Sequence, residues 1–370
     1  MPDRDLNRLS RSGKIFLMPK PEITTLSSQV TAEGGIAPEG VSDSASSGKG
    51  SCEIAATLGG QAVLEGIMMR SKTTLAIAVR KPDGSIIVER RPWYSFTKSA
   101  LARRPFVRGF PILVETMING IKALNFSAVA TGEAEAGTEI KGWHLTLTLI
   151  VAVGFALGLF VVVPHLLSLF LNWLHIAGGA ESVSFHAWDG LFKFLVFIGY
   201  IAAIALLPVI RRVFQYHGAE HKVIWAYEQK VELNSFEAAA MSRLHPRCGT
   251  TFLLYVLGIA IILHAVLVPM FLWMWTPENP VLKHAVLITF KLLLMVPISA
   301  MAYEAIKASS GMGDSWLSRA ARAPGLLLQL MTTREPDAGQ LEVALVALKE
   351  ALGADAPYEI ATPAYTVGAS

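Results

Sequence analysis

The chain has 370 residues, 52% of them hydrophobic and only 16% charged, with a formal net charge of +3. That mix lies well away from an ordinary soluble domain, and the charge is too small to point to a nucleic-acid partner. Two cysteines, Cys52 and Cys248, argue against a structural disulfide framework.

Residues 1–53 read as a disordered leader, small and polar and without apolar periodicity; Ile15–Met18 is too short for the apolar core of a signal peptide. Structure is expected from about Thr57, in a small α+β domain over 54–142. There Gly59-Gly60-Gln61 and Glu65-Gly66 suggest tight backbone beside a short strand or loop. Thr73–Arg80 and Ser85–Arg91 flank Lys81-Pro82-Asp83-Gly84 as a β-hairpin. Ile112, Leu113, Met117, Ile121 and Leu124 then recur at helical spacing. Glu115 and Lys122 interrupt that run, so an amphipathic helix on the membrane surface or packed on the bundle is preferred over a fifth span at 110–128.

Four apolar runs follow: Gly142–Ala180, Leu191–Ile210, Cys248–Pro277 and Val281–Tyr303. Each is long enough to cross a bilayer as a helix, which needs about 20 residues, and the end of the first, Leu171–Ala177, is read as interfacial. The predicted architecture is a polytopic α-helical membrane protein with a four-helix domain over 143–310. Pro164, Pro208, Pro269 and Pro297 are expected to kink or end helices. The loop read at 211–250 carries Arg211, Arg212, Lys222, Lys230, Arg243 and Arg247, whereas 175–188 and 276–280 carry no Lys or Arg. The positive-inside rule puts that loop and both termini in the cytoplasm, in a bacterial inner membrane. In the tail, 311–370, one helix is predicted over about 337–352. Asp337 and Gln340 form its capping box, Leu341, Ala344, Leu345, Leu348 and Leu352 its stripe, and Gly353 its end. The two amphipathic helices offer a surface for a protein partner.

His217-Gly218-Ala219-Glu220-His221 is the H-x-x-E-H arrangement, the reverse of the zinc-peptidase H-E-x-x-H. On a helix His217 and His221 would stand one turn apart on one face, with Glu220 on the flank as a proton acceptor. Against this, Gly218 costs about 1 kcal/mol of helix stability relative to Ala, and the two histidines could simply be interfacial rings.

Several separate motifs resemble the YqhQ-like family of bacterial membrane proteins. They are Gly59–Arg70, Tyr216–Lys222, Ser242–Thr250, Tyr303-Glu304 and Thr332–Ala338, within a resemblance covering roughly residues 57 to 352. That family is described as predicted metal-dependent enzymes without an established reaction. The resemblance implies a membrane architecture and draws attention to His217, Glu220, His221, His245 and Cys248.

Zinc takes three or four N, S or O ligands. His217, His221, His245 and Cys248 together would close a structural site; three of them, with Glu220 as base, would leave it open and catalytic. In the peptidases with H-x-x-E-H, a later glutamate is a ligand, which brings in Glu304, although a headgroup-level carboxylate near Lys307 is an equal reading. Glu65 could reach the site from the N-terminal domain or be a surface turn residue. Lys291 is read as snorkelling to the outer interface. The leading expectation is a membrane protein with a divalent metal, zinc, on its cytoplasmic face, acting as a hydrolase on a membrane-associated peptide or lipid. The alternative is a non-catalytic scaffold or assembly factor whose His/Cys cluster is structural; a transporter comes third.

Overall fold

A computed structural model describes residues 58–71, 74–95, 104–132, 142–311, 315–353 and 359–368; the leader read at 1–53 lies outside the described residues. Four strands, β1 (Gly59–Val63), β2 (Gly66–Arg70), β3 (Thr74–Arg80) and β4 (Ile86–Pro92), form an antiparallel meander, and β5 (Tyr365–Val367) adds in parallel to β4. The hairpin around Lys81–Gly84 is therefore part of a larger sheet. The Asp83 carboxylate accepts the Ser85 N–H at 2.9 Å, and Gly84 takes φ +85 to close the turn. β5 has only three residues, too few for a periodicity signal.

Alternation along the strands sends side chains to two covered faces. Ile67, Met69, Ala76, Ala78, Ile86 and Val88 pack in one core, and Val63, Met68, Leu75, Ile77 and Val79 in another. The first core is closed by α5 (Pro208–Glu228) and α11 (Ala338–Leu352), the second by α1 (Gly109–Ala130) through Ala123, Phe126 and Ala130. α11 begins with the expected Asp337–Gln340 capping box and ends at Gly353; most of its side chains are buried.

α1 turns its polar residues inward. Glu115, Asn119 and Ser127 are buried, Glu115 accepting the Ser95 hydroxyl at 2.8 Å and Asn119 Nδ2 donating to Tyr94 O at 3.0 Å. Phe110, Met117, Leu124 and Val129 are exposed instead. That inverted amphipathicity suits a helix lying against the bilayer, and α1 is not among the helices apolar enough to span it.

Among the described residues four helices are long and apolar enough to cross a membrane: Ile150–Trp173, Val183–Ile204, Gly249–Met274 and Pro280–Ser309. The first combines α2 (Gly142–Leu157), a π turn at Gly158–Val162, and α3 (Val163–Trp173), with Pro164 in the first turn of α3. α4 (Val183–Ile204) and α7 (Gly249–Met274) are continuous, α7 with Pro269 inside it. The fourth breaks at Leu294 between α8 (Pro280–Leu293) and α9 (Met295–Gly311), because Pro297 has no N–H for the Leu293 carbonyl.

Four readings need correcting. The segment 211–250 is no loop: α5 runs to Glu228 and α6 covers Ser235–Ala240. The second span starts at Val183, not Leu191, which takes Asp189 inside it. Lys291 does not snorkel: it is 1% exposed and bonded to Asp189. The tail holds a further helix, α10 (Trp316–Thr332), whose Pro324-Gly325 hid its periodicity.

Candidate metal centre

α5 carries the H-x-x-E-H residues as a continuous helix, and that geometry puts His217 and His221 one turn apart, with ring centroids 4.4 Å from each other. Cys248 comes to them from the start of α7. It is that helix's N-cap, its Sγ accepting the Thr250 N–H at 3.4 Å. Ligand atoms of His217, His221 and Cys248 all lie within 4.8 Å of one another, close enough for one ion to bind all three. His217 Nε2 is 3.1 Å from Cys248 Sγ.

The second nitrogen of each ring is held by backbone. His217 Nδ1 lies 2.8 Å from Thr332 O and His221 Nδ1 2.6 Å from Arg243 O. A carbonyl only accepts, so each Nδ1 carries the proton and each Nε2 presents a lone pair. His221 Nε2 is buried and, apart from the adjoining Cys248 thiol, has no hydrogen-bond partner among the described residues. An orphaned acceptor beside a thiol, with its tautomer fixed from behind, fits a soft divalent cation.

The supports around these residues are themselves locked. Arg334 N donates to Phe214 O at 2.9 Å, and Lys222 Nζ meets Glu335 at 3.0 Å, so the strand-like stretch after α10 lies along α5. Gly218 faces the Arg334 carbonyl so closely that a Cβ would collide with it. The glycine that weakens the helix is what lets this segment reach His217. Fully buried Gln329 clamps the backbone of His245, accepting its N–H at 2.8 Å and donating to its carbonyl at 2.8 Å. Sequence reading missed Gln329, since its partner is 84 residues away.

Glu220 is buried beside the group, with the Gly60 backbone N–H near enough to its carboxylate to favour the charged form. A Cβ on Gly60 would lie 2.9 Å from Glu220 Cδ and 2.8 Å from Met68 O, so only glycine lets β1 approach there. Burial carries Glu220 up to about 8, against the opposing pull of His217 and of that N–H. Burial lowers His221. Burial would raise the Cys248 thiol, but the adjoining His221 ring and Thr250 hold it below its ordinary value.

Three residues considered from sequence lie apart from this group. The His245 ring sits 5.7 Å from that of His221, against Trp225 at 4.8 Å, and its Nε2 faces Glu228 at 3.5 Å; burial lowers it to about 4. Glu304 is held by Arg108 through two bonds of 2.6 and 2.7 Å. Glu65, in a turn at φ +47, pairs with Arg212 and accepts the Tyr216 hydroxyl at 3.2 Å.

A cavity of about 600 Å³ opens on the group. His217, Glu220 and Cys248 line it together with Gly60 and Arg247, and apolar residues of α1, α7 and α9 including Leu113, Phe252 and Ile306 complete its wall. His221 lies behind them and does not line it.

The model of the family described as "Protein of unknown function (DUF1385)" matches residues 104–354. The chain is also 32% identical over 311 residues to "Uncharacterized protein YqhQ" of Bacillus subtilis (strain 168), covering 80% of this chain and 93% of that protein. No solved structure matches. The chain belongs to the DUF1385 family, which includes residues of α1, the spans and α11 in one unit.

Proposed function

We propose that this protein is a metal-dependent hydrolase embedded in the bacterial inner membrane, acting at the cytoplasmic face on a membrane-associated peptide or lipid. The observation that carries the reading is the three-sided donor set. His217, His221 and Cys248 converge, while His217, Cys248 and Glu220 also face the cavity. Catalytic zinc sites use three protein ligands and keep one position open, whereas structural sites close with four. Among the described residues no fourth His or Cys joins the three; the His245 ring packs against Trp225, with its Nε2 3.5 Å from Glu228.

Imidazole and thiolate donors favour zinc, which would supply Lewis acidity to a carbonyl or ester and acidify water. Thr332 O and Arg243 O hold the two rings in the tautomer that leaves Nε2 free. A cation held beside Glu220 would favour its ionised form against the effect of burial, and that carboxylate takes the proton from the attacking water and returns it to the leaving group. Apolar walls from α1, α7 and α9 suit an acyl chain or an apolar segment, and Arg247 at the rim suits a phosphate or carboxylate. The cytoplasmic side is supported by the basic residues of 211–250 and the lack of Lys and Arg in 174–182 and 275–279.

The test pairs metal content with chemistry. Wild type and Glu220→Gln are expressed at equal levels, their bound metal is quantified, and the lipids and peptides of the host membranes are compared. The reading requires equal metal in both and a cleavage product that only wild type generates. A wild type without metal overturns it. Metal in both proteins with no difference in products leaves the cluster as the structural staple of a scaffold.

A further inference from the structure

The membrane-spanning helices carry a second polar cluster, far from the metal centre and unused by the hydrolysis proposed above. Lys193 Nζ and Lys291 Nζ both donate to the same oxygen of Asp189, at 2.6 and 2.7 Å. Asp189 is 0% exposed and Lys291 1% exposed. His264 Nδ1 lies 3.4 Å from Lys193 Nζ, and His165 Nε2 lies 3.0 Å from His284 Nδ1. His186 Nε2 bonds Ala180 O at 2.9 Å. Asp189 and Lys193 come from α4, His264 from α7, His165 from α3, and His284 and Lys291 from α8.

Two features set this cluster apart from an ordinary buried ion pair. First, the charges do not balance: two ammonium groups share one carboxylate. The acid at the same end of the spans, Glu181, is spoken for by Lys283. Second, Asp189 Oδ1, His264 Nε2, His165 Nδ1 and His186 Nδ1 are buried with no hydrogen-bond partner among the described residues. In hydrocarbon such atoms are costly, and intramembrane ionisable residues mark ion paths and proton relays.

The groups also form a ladder. Counting from the span ends opposite the metal centre at about 1.5 Å per residue, His186 and His284 lie about 5 Å deep, Asp189 and His165 about 10 Å, and Lys193, His264 and Lys291 about 15 Å. The last is near the middle of a hydrocarbon core about 30 Å thick. His284 is half-buried and His165 buried, so their shared proton links an outer position to an inner one.

We propose that this seam is a proton-exchange site, served by water from the membrane face opposite the metal centre. The surplus proton of the Lys193–Asp189–Lys291 triad is the one exchanged, and the histidines pass it between the triad and that face. An anion would neutralise the triad too, but it would have to sit among groups that include an unpartnered carboxylate oxygen. Water and protons satisfy orphaned atoms of either sign, and a neutral imidazole both donates and accepts.

The experiment uses the full chain in lipid nanodiscs, treated with formaldehyde and cyanoborohydride. These small reagents methylate an amine only after it has released its proton, and mass spectrometry reads each lysine. Lys291 or Lys193 is expected to react within about tenfold of the rate at exposed Lys230, the factor that one unit of proton affinity represents. Lys193→Gln leaves Lys291 and Asp189 a balanced pair and is expected to slow methylation of Lys291 by about tenfold or more. Lys291→Met tests the same balance through Lys193, should the first variant fail to fold. Full reaction at Lys230 with none at either buried lysine overturns the proposal, as does an unchanged rate at the remaining lysine of the variants. Protection of both lysines by chloride, relative to gluconate, would mean that an anion neutralises the triad, and the proton reading falls.

Discussion

His217 donates from Nδ1 to the carbonyl of Thr332, 115 residues further along the chain, at 2.8 Å. With His221 on Arg243 O, it turns two flexible rings into a fixed pair of lone pairs beside Cys248. Because the ligands come from α5 and from the start of α7, a bound ion would tie these two elements together. Chelator treatment of the purified protein is therefore expected to lower its unfolding temperature, and re-addition of zinc to restore it. Cys248→Ser should lose metal, and its unfolding temperature should no longer respond to chelator. An identical chelator response in wild type and Cys248→Ser would assign the metal elsewhere.

Gly218→Ala sets two effects against each other. Helix propensity alone favours alanine by about 1 kcal/mol. The added Cβ, however, meets the backbone carbonyl of Arg334, a residue anchored to α5 through its own N–H, which donates to the Phe214 carbonyl. Overpacking against fixed backbone costs about 1–3 kcal/mol, so the net expectation is destabilisation with reduced metal retention. Thermal unfolding and metal analysis of the one variant decide it; a gain in stability would contradict the close approach.

The membrane spans, the hairpin and α11 were legible because each declares itself locally, by a long apolar run, alternation about a Pro-Asp-Gly turn, or a cap-to-cap stripe. The His217, His221 and Cys248 group was legible as a short motif plus a nearby cysteine. What sequence could not show is which distant group meets which side chain. Lys291 looked like a snorkelling end residue because its partner Asp189 is 102 positions away. Asp189 was itself left outside the span because a charge is a reason to start an apolar run after it. His245 looked equivalent to Cys248 by spacing, but the turn before α7 directs its ring toward Trp225 and Glu228.

Gln329 is a positioning residue whose removal should be felt twice. Its amide makes both hydrogen bonds to the backbone of His245, three residues before Cys248, and all partners are buried. Gln329→Ala strands the buried His245 N–H, at about 1–3 kcal/mol, and takes one of two donors from the His245 carbonyl, which keeps the Cys248 N–H at 3.3 Å. The expected result is a clear loss of stability and weaker metal retention, although Gln329 touches no ligand atom. Gln329→Glu keeps the acceptor for the His245 N–H but loses the donor, and should fall between wild type and Ala. Equal metal affinity in all three would show that the turn holds Cys248 without this clamp.

Glu304 separates a ligand from a brace. Arg108 grips both its oxygens at the start of α1, and Gly109 follows with its Cα side against Ala300 and Tyr303 of α9. This contact joins the two helices that form the cavity wall at Leu113, Tyr303 and Ile306. The pair is only partly shielded, with side-chain exposures of 21% and 15%, so its coupling in a double-mutant cycle should be modest, about 1 kcal/mol. Glu304→Gln is expected to keep the wild-type metal content while loosening α1, read as faster proteolysis or hydrogen exchange across Gly109–Ala130. Exchanging the charges, Arg108→Glu with Glu304→Arg, should recover part of that protection. Loss of metal from Glu304→Gln would instead make this carboxylate a ligand, and the brace described here would have to open to release it.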